Sequence, residues 1–221
     1  MPLQKKTESH AFTLVELMVS VVVLGVISIA LTALMVSSAR SMRWSVDKSL
    51  ITNDFRQFTQ QISQDAINAS HAYLYPSFGI NVVNDPDNRL TEGQSGDCLV
   101  LITVEPSDET DLNSPRVYRS IVVYNREPGV DGEEEEGRPV FRRERIGLNI
   151  PVEVPLETVL NNQRNSFDPP ETVLQLSRGL SENQLFFRAT IDTFIVNGEI
   201  IHGNNVQRVT NTYNLTISTR G

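Results

Sequence analysis

From Leu17 to Ala39 the chain runs 23 residues without a charge, LMVSVVVLGVISIALTALMVSSA. As a helix rising about 1.5 Å per residue this stretch spans roughly 35 Å, against a bilayer hydrocarbon core of about 30 Å. A helix that packs against a water-soluble core keeps one polar face, and this one has none for about six turns. The reading is a single membrane-spanning helix. The rival is a cleaved secretory signal, whose apolar region is about 7–15 residues long and ends in a small-residue cleavage site. Ser37-Ser38-Ala39 could serve as that site, but the run is longer and has no turn-forming break before Arg40. Flanking charges, Lys5 and Lys6 before the span and Arg40, Arg43 and Lys48 after it, set no orientation.

Beyond the span, composition narrows the classes. Hydrophobic residues are 39 % of the 221, too many for a disordered chain and too few for a polytopic membrane protein. A net charge of −8 makes the chain a poor non-specific binder of nucleic acid, whose phosphates are met by Lys and Arg. One cysteine, Cys98, excludes an internal disulfide and a multi-cysteine zinc site. His10, His71 and His202 are too scattered to suggest a local metal-ligand set. There is no G-x-S-x-G, no H-E-x-x-H and no phosphate-binding glycine loop, so no catalytic residue and no cofactor is assigned.

After Ala39 the apolar residues become periodic. Leu50 or Ile51, then Phe55, Phe58, Ile62, Ala66 and Ala69, follow steps of three and four, with Asp54, Gln57, Gln61 and Asp65 between them. No proline falls between Leu3 and Tyr75. The pattern predicts one helix from about Phe12 to about Ala72, apolar all round and then amphipathic, ended by Pro76 and Gly79. From there strand signals take over. Cys98–Val104 reads as a central strand buried on both faces, which makes Cys98 a small buried apolar residue. Arg116–Asn125 and Pro139–Leu148 read as two more strands, and Leu185–Val196 as another, with Asn197-Gly198 as a hairpin turn. Val206–Thr219 reads as a closing strand, and most of residues 149–184 as an irregular exposed insertion with room for one short helix or strand.

Glu16 breaks the apolar pattern at its start. A carboxylate in lipid costs several kcal/mol unless it meets a partner. It either sits at headgroup level or finds a positive group during assembly. The surrounding stretch, Ala11-Phe12-Thr13-Leu14-Val15-Glu16-Leu17-Met18-Val19, resembles the signature of type IV prepilins and type II secretion pseudopilins. Those precursors carry a short basic leader, a small residue, Phe-Thr-Leu-(Val/Ile)-Glu and a long apolar run. The head is similar to the J-type pseudopilin and the W-type minor pilin, through the strand pair around VVYN and VFRRE.

The resemblance implies an α+β, pilin-like fold: a long N-terminal helix, transmembrane and then amphipathic, packed on an antiparallel β-rich head. The expected segments are a leader at 1–11, the transmembrane half at 12–39, the amphipathic half at 40–75 and the head at 76–221. A prepilin peptidase would cut between Ala11 and Phe12 and N-methylate Phe12. Ala11 stands where the family usually has Gly, so slower processing is expected. The mature chain would hold 17 basic and 26 acidic residues, a net charge of −9. Its new amine would be a counter-charge for Glu16, within one helix terminus or between subunits. Implied partners are the peptidase, other pilins or pseudopilins, an inner-membrane platform and an assembly ATPase. The implied location is the bacterial inner membrane, single-pass, with the head periplasmic or extracellular.

Three head features are weaker candidates. Asp131 and Glu133, in the acidic run 131–136, are possible calcium ligands, although consecutive acids in a turn point in different directions. Asp85-Pro86-Asp87-Asn88 is a second oxygen-rich turn. Arg142, Arg143 and Arg145, with Arg138 nearby, form a basic cluster whose expected state is a salt-bridged strand face. The rival functions are a membrane-anchored extracytoplasmic binding domain that never enters a filament, and a surface hydrolase using His71 or His202.

Overall fold

The structure, a computed structural model, describes residues 13–108, 110–111, 113–126, 138–178, 184–204 and 207–219. The chain divides into two compact units, Met1–Val46 and Asp47–Gly221, with the boundary inside the first helix, α1 (Leu14–Asn68). The arrangement is α+β and pilin-like: a long N-terminal helix, then an antiparallel sheet in a globular head.

In the first unit α1 exposes its apolar side chains on every face, from Leu14 through Val36. It is long and apolar enough to cross a membrane, with a mean hydropathy of 2.7 over its best window. Two hydroxyls within the apolar run satisfy themselves locally. Ser20 donates to the Glu16 carbonyl at 2.7 Å and Thr32 to the Ser28 carbonyl at 2.8 Å, so neither needs water.

In the second unit the amphipathic pattern does what its period predicts. Ile51, Phe58, Ile62 and Ala66 are buried, while Leu50 is exposed, which settles the choice between Leu50 and Ile51. This stripe forms one core with Leu99, Leu101, Val122, Tyr124 and Val140 of the sheet. The helix ends earlier than its period suggests. Instead of running on toward Ala72 it stops at Asn68, and His71–Tyr75 is a strand, β1. The reason is competition from the sheet. The Ser70 amide donates to the Ile102 carbonyl at 2.7 Å, and Thr103 Oγ1 caps the Asn68 carbonyl at 3.1 Å. Ala69 stays buried, but past the helix end.

The remaining elements are α2 (Ile80–Val83), β2 (Ser95–Gly96), β3 (Cys98–Pro106), β4 (Arg116–Arg126), β5 (Arg138–Pro151), α3 (Leu156–Gln163), β6 (Glu171–Arg178), β7 (Phe186–Arg188), β8 (Thr193–Asn204) and β9 (Gln207–Ser218). The sheet order is β1-β3-β4-β5-β6-β8-β7-β2, with β9 on β8, and every pairing is antiparallel. β3 lies inside the sheet and is buried on both faces as expected. Leu99 and Leu101 face α1, while Cys98, Val100 and Ile102 face a second core built with Ile121, Val123, Leu156, Val159 and Leu160. At Gly96 a side chain would collide with the Tyr75 backbone carbonyl, so only glycine lets β2 lie this close to β1.

Two turn readings are corrected. Asn197-Gly198 is not a hairpin turn: β8 runs straight through it, with Asn197 opposite Asn214 and Gly198 opposite Tyr213. The chain reverses earlier, at residues 189–192, where the Ala189 and Thr190 amides both donate to the Thr193 carbonyl. Residues 149–184 are also more regular than the one short helix or strand expected there. They supply the end of β5, all of α3 and a strand, β6, that pairs with β5 and β8.

α3 is fixed by a buried acid. The Glu157 side chain is only 4 % exposed. Its Oε1 accepts from Arg89 Nε at 2.6 Å and from the Tyr75 hydroxyl at 2.9 Å, and its Oε2 accepts from Arg89 Nη2 at 2.9 Å. The Arg89 guanidinium also stacks on Tyr73, 4.4 Å from the ring centre. Burial raises the Glu157 pKa, but hydrogen bonds from Arg89, its own backbone N–H and Tyr75 more than offset this and hold it below the usual carboxylate range. A carboxyl depressed in the folded state contributes stability above its unfolded pKa, and that contribution is lost as pH falls through the folded value. Thermal melts of Glu157→Gln in detergent should therefore show a loss of about 2–3 kcal/mol at neutral pH. The wild-type advantage should shrink as pH drops below about 4.5.

Candidate functional site

Glu16 sits in the first turn of α1 and is locked to the residue that starts the helix. The Thr13 amide donates to Glu16 Oε2 at 2.9 Å, and Thr13 Oγ1 donates to the same oxygen at 2.9 Å. In return the Glu16 amide approaches Thr13 Oγ1 at 3.3 Å, and the Leu17 amide donates to the Thr13 carbonyl at 3.2 Å. This is a reciprocal capping box, which satisfies two of the amides that a helix start leaves without partners. The Thr-x-x-Glu spacing is its sequence signal, overshadowed by the longer motif that contains it. The cap also gives the acid a local partner at the edge of an apolar helix, and a negative group there is favoured by the helix dipole. Both bonds from Thr13 fall on Oε2.

Ala11 and Phe12 lie outside the described residues, and so do Asp131 and Glu133. Among the described residues no group of three or more His, Cys, Asp or Glu could hold a metal ion. The Asp85–Asn88 turn is a short 3-10 turn, with Asp85 Oδ1 accepting the Asp87 amide at 3.0 Å. Cys98 is fully buried, and burial, with Asp97 adding to it, raises its thiol pKa well above the ordinary range. It is a packing residue, as expected. His71 is exposed on β1, with Tyr73 as its aromatic neighbour.

The basic cluster departs from expectation. Strand alternation divides it. Arg142 faces α1, where Nε and Nη2 grip Asp65 at 2.8 and 3.1 Å and Nη1 meets Glu144 at 2.8 Å. The Tyr124 hydroxyl completes the group, donating to Asp65 Oδ2. The Asp65 hydrogen bond foremost raises the Arg142 pKa. Arg143 and Arg145 lie on the opposite face, opposite Val123 and Ile121, and form no ion pair among the described residues. Among the described residues the salt-bridged face thus holds for Arg142 and not for Arg143 or Arg145, because one step along a strand changes the side of the sheet.

Residues 7–32 match the family described as the prokaryotic N-terminal methylation motif. The chain therefore carries the prepilin and pseudopilin signature, followed by a long apolar helix. The comparisons with curated proteins and with solved structures give no match. The motif implies processing by a prepilin peptidase and assembly with pilins in general, it marks a structural rather than enzymatic family, and with the apolar helix it is consistent with membrane anchoring.

Removing the cap hydroxyl should loosen the first turn alone. Thr13→Val should cost about 1 kcal/mol locally, read as roughly fivefold faster hydrogen exchange at the Val15–Leu17 amides in micelles, with Thr13→Ser restoring the wild-type rate.

Proposed function

We propose that this chain is a minor pilin or pseudopilin precursor, cut between Ala11 and Phe12, N-methylated on Phe12, and inserted through its N-terminal helix into a type IV pilus or type II secretion filament. The observation that carries this reading is the placement of one acid, Glu16, in the first turn of an uncovered apolar helix, inside the methylation motif at 7–32. Cleavage at Ala11 would create an ammonium group close to that acid. Thr13 occupies only Oε2, which leaves Oε1 to receive the methylated amine of a neighbouring subunit.

A charge pair in lipid forms only in a register that brings both members together, because a misplaced subunit strands both charges in a low dielectric. Glu16 would then select axial position, while the apolar faces of α1 supply non-specific attraction between helices. The role is mechanical: filament assembly, initiation at the tip, or contact with cargo. It needs the peptidase, an inner-membrane platform, an assembly ATPase and sister subunits. The head would stand on the periplasmic or extracellular side.

Mass spectrometry of the protein purified from peptidase-positive cells should find N-methyl-Phe12 as the first residue. A retained Met1 would leave only a membrane-anchored ectodomain. In the same cells Glu16→Val should insert normally and enter filaments at least tenfold less. Glu16→Gln, which keeps the cap acceptor and drops the charge, should behave like Glu16→Val. Wild-type incorporation of Glu16→Gln would assign the residue to capping alone.

A further inference from the structure

The acidic head keeps three arginines together without a counter-ion among the described residues. Elsewhere in the second unit four arginines meet carboxylates, Arg89 with Glu157, Arg119 with Glu105 at 3.6 Å, Arg126 with Asp97 at 2.9 Å and Arg142 with Asp65, while Arg188 donates to the backbone carbonyls of Leu90 and Ile191. Arg143, Arg145 and Arg164 do not, among the described residues. All three belong to the side of the sheet away from α1. Arg143 and Arg145 are on β5 opposite Val123 and Ile121 of the second core, and Arg164 follows α3, which packs on that same core.

Phe78 gathers two of them. The Arg143 guanidinium lies 5.6 Å and that of Arg164 4.9 Å from the centre of its ring. Their hydrogen bonds go to neutral groups only: Arg143 Nε to Asn125 Oδ1 at 3.4 Å and Arg164 Nη2 to the Phe78 carbonyl at 3.1 Å. Arg145 Nε and Arg164 Nη1 are buried and have no hydrogen-bond partner among the described residues. All three residues are half-buried, with part of each side chain open to solvent. Cation–π contact holds the guanidinium planes in place, and it leaves their charge unneutralised.

We propose that Arg143, Arg145 and Arg164 form a docking surface for an acidic peptide segment of another protein chain. Charge complementarity selects this occupant. Carboxylates pair bidentately with guanidinium groups and would supply the opposite charge that the described residues do not. A nucleic acid is a long polyanion and would meet the repulsion of a chain with net charge −8, whereas a short acidic segment bears on the patch alone. The surface lies wholly in the second unit and does not depend on leader cleavage or on entry into a filament.

The test uses the full chain in neutral detergent, with fluorescent hexaglutamate, a hexaglutamine control and a single-stranded oligonucleotide as probes, read by anisotropy. Hexaglutamate should bind, weaken as salt rises, and lose at least about tenfold in affinity in the triple variant Arg143→Gln/Arg145→Gln/Arg164→Gln. Arg116→Gln, an exposed arginine elsewhere on the sheet, should leave binding unchanged. Should the triple variant fail to fold, Arg143→Gln and Arg164→Gln alone should each weaken binding about threefold. No binding of hexaglutamate, equal binding of hexaglutamine, equal affinity in the arginine variants, or tighter binding of the oligonucleotide would each overturn the proposal.

Discussion

The head depends on one stripe of a helix. Ile51, Phe58, Ile62 and Ala66 cover one face of a sheet whose strands β3 and β4 alternate apolar side chains to both sides. Without α1 the face carrying Leu99, Leu101, Val122 and Tyr124 would lie open to water, at about 25 cal/mol per Å² of apolar surface. The Asp65–Arg142–Tyr124 group adds direction to that attraction. Apolar burial tolerates sliding, whereas a bidentate carboxylate–guanidinium pair with a third donor has one geometry. The edge-to-face contact of Phe58 with Tyr124, 6.2 Å between ring centres, fixes the same register from the apolar side.

The opposite face is closed by different means. Glu157, a buried acid reached by Arg89 and Tyr75, ties α3 to β1 and to the turn before Arg89, and Asn88 holds the end of α2 through the Val82 carbonyl. Thus each face of the sheet carries a polar knot: Asp65 on the α1 side and Glu157 on the other. The arginine surface lies on the second face, beside elements that local hydrogen bonds hold in place. It can present charge without disturbing the packing of α1.

Where one signal dominated, the sequence was enough. The uncharged run of 23 residues, the three-and-four spacing from Ile51 to Ala66 and the solid apolar run at Cys98–Val104 each had a single economical reading. Where the outcome rested on distant partners, the reading missed. Residues 69–72 fit a helix by period, yet β3 offers Ser70 and Asn68 better hydrogen bonds than another helical turn. Asn197-Gly198 has turn chemistry, but cross-strand pairing with Asn214 and Tyr213 overrides it. β6 was hidden among prolines and polar residues because its role is to pair with β5 and β8, which local composition does not encode. At the N-terminus the acid was legible and its partner Thr13 was not, although the spacing was present. The arginine cluster was legible as a cluster, but its division between two faces needed the register of β5.

The chain order of the α1 stripe has a consequence for biogenesis. Phe58 is made long before its partners: Ile217, the last residue of the same core, follows it by about 160 residues, roughly 8–32 s of translation. Throughout that interval the amphipathic half of α1 has nothing to lie on, and its greasy side must be shielded by chaperones or by a lipid surface. The head of this protein is a fold that its ribosome cannot finish in order, and its earliest core residues are the last to find shelter.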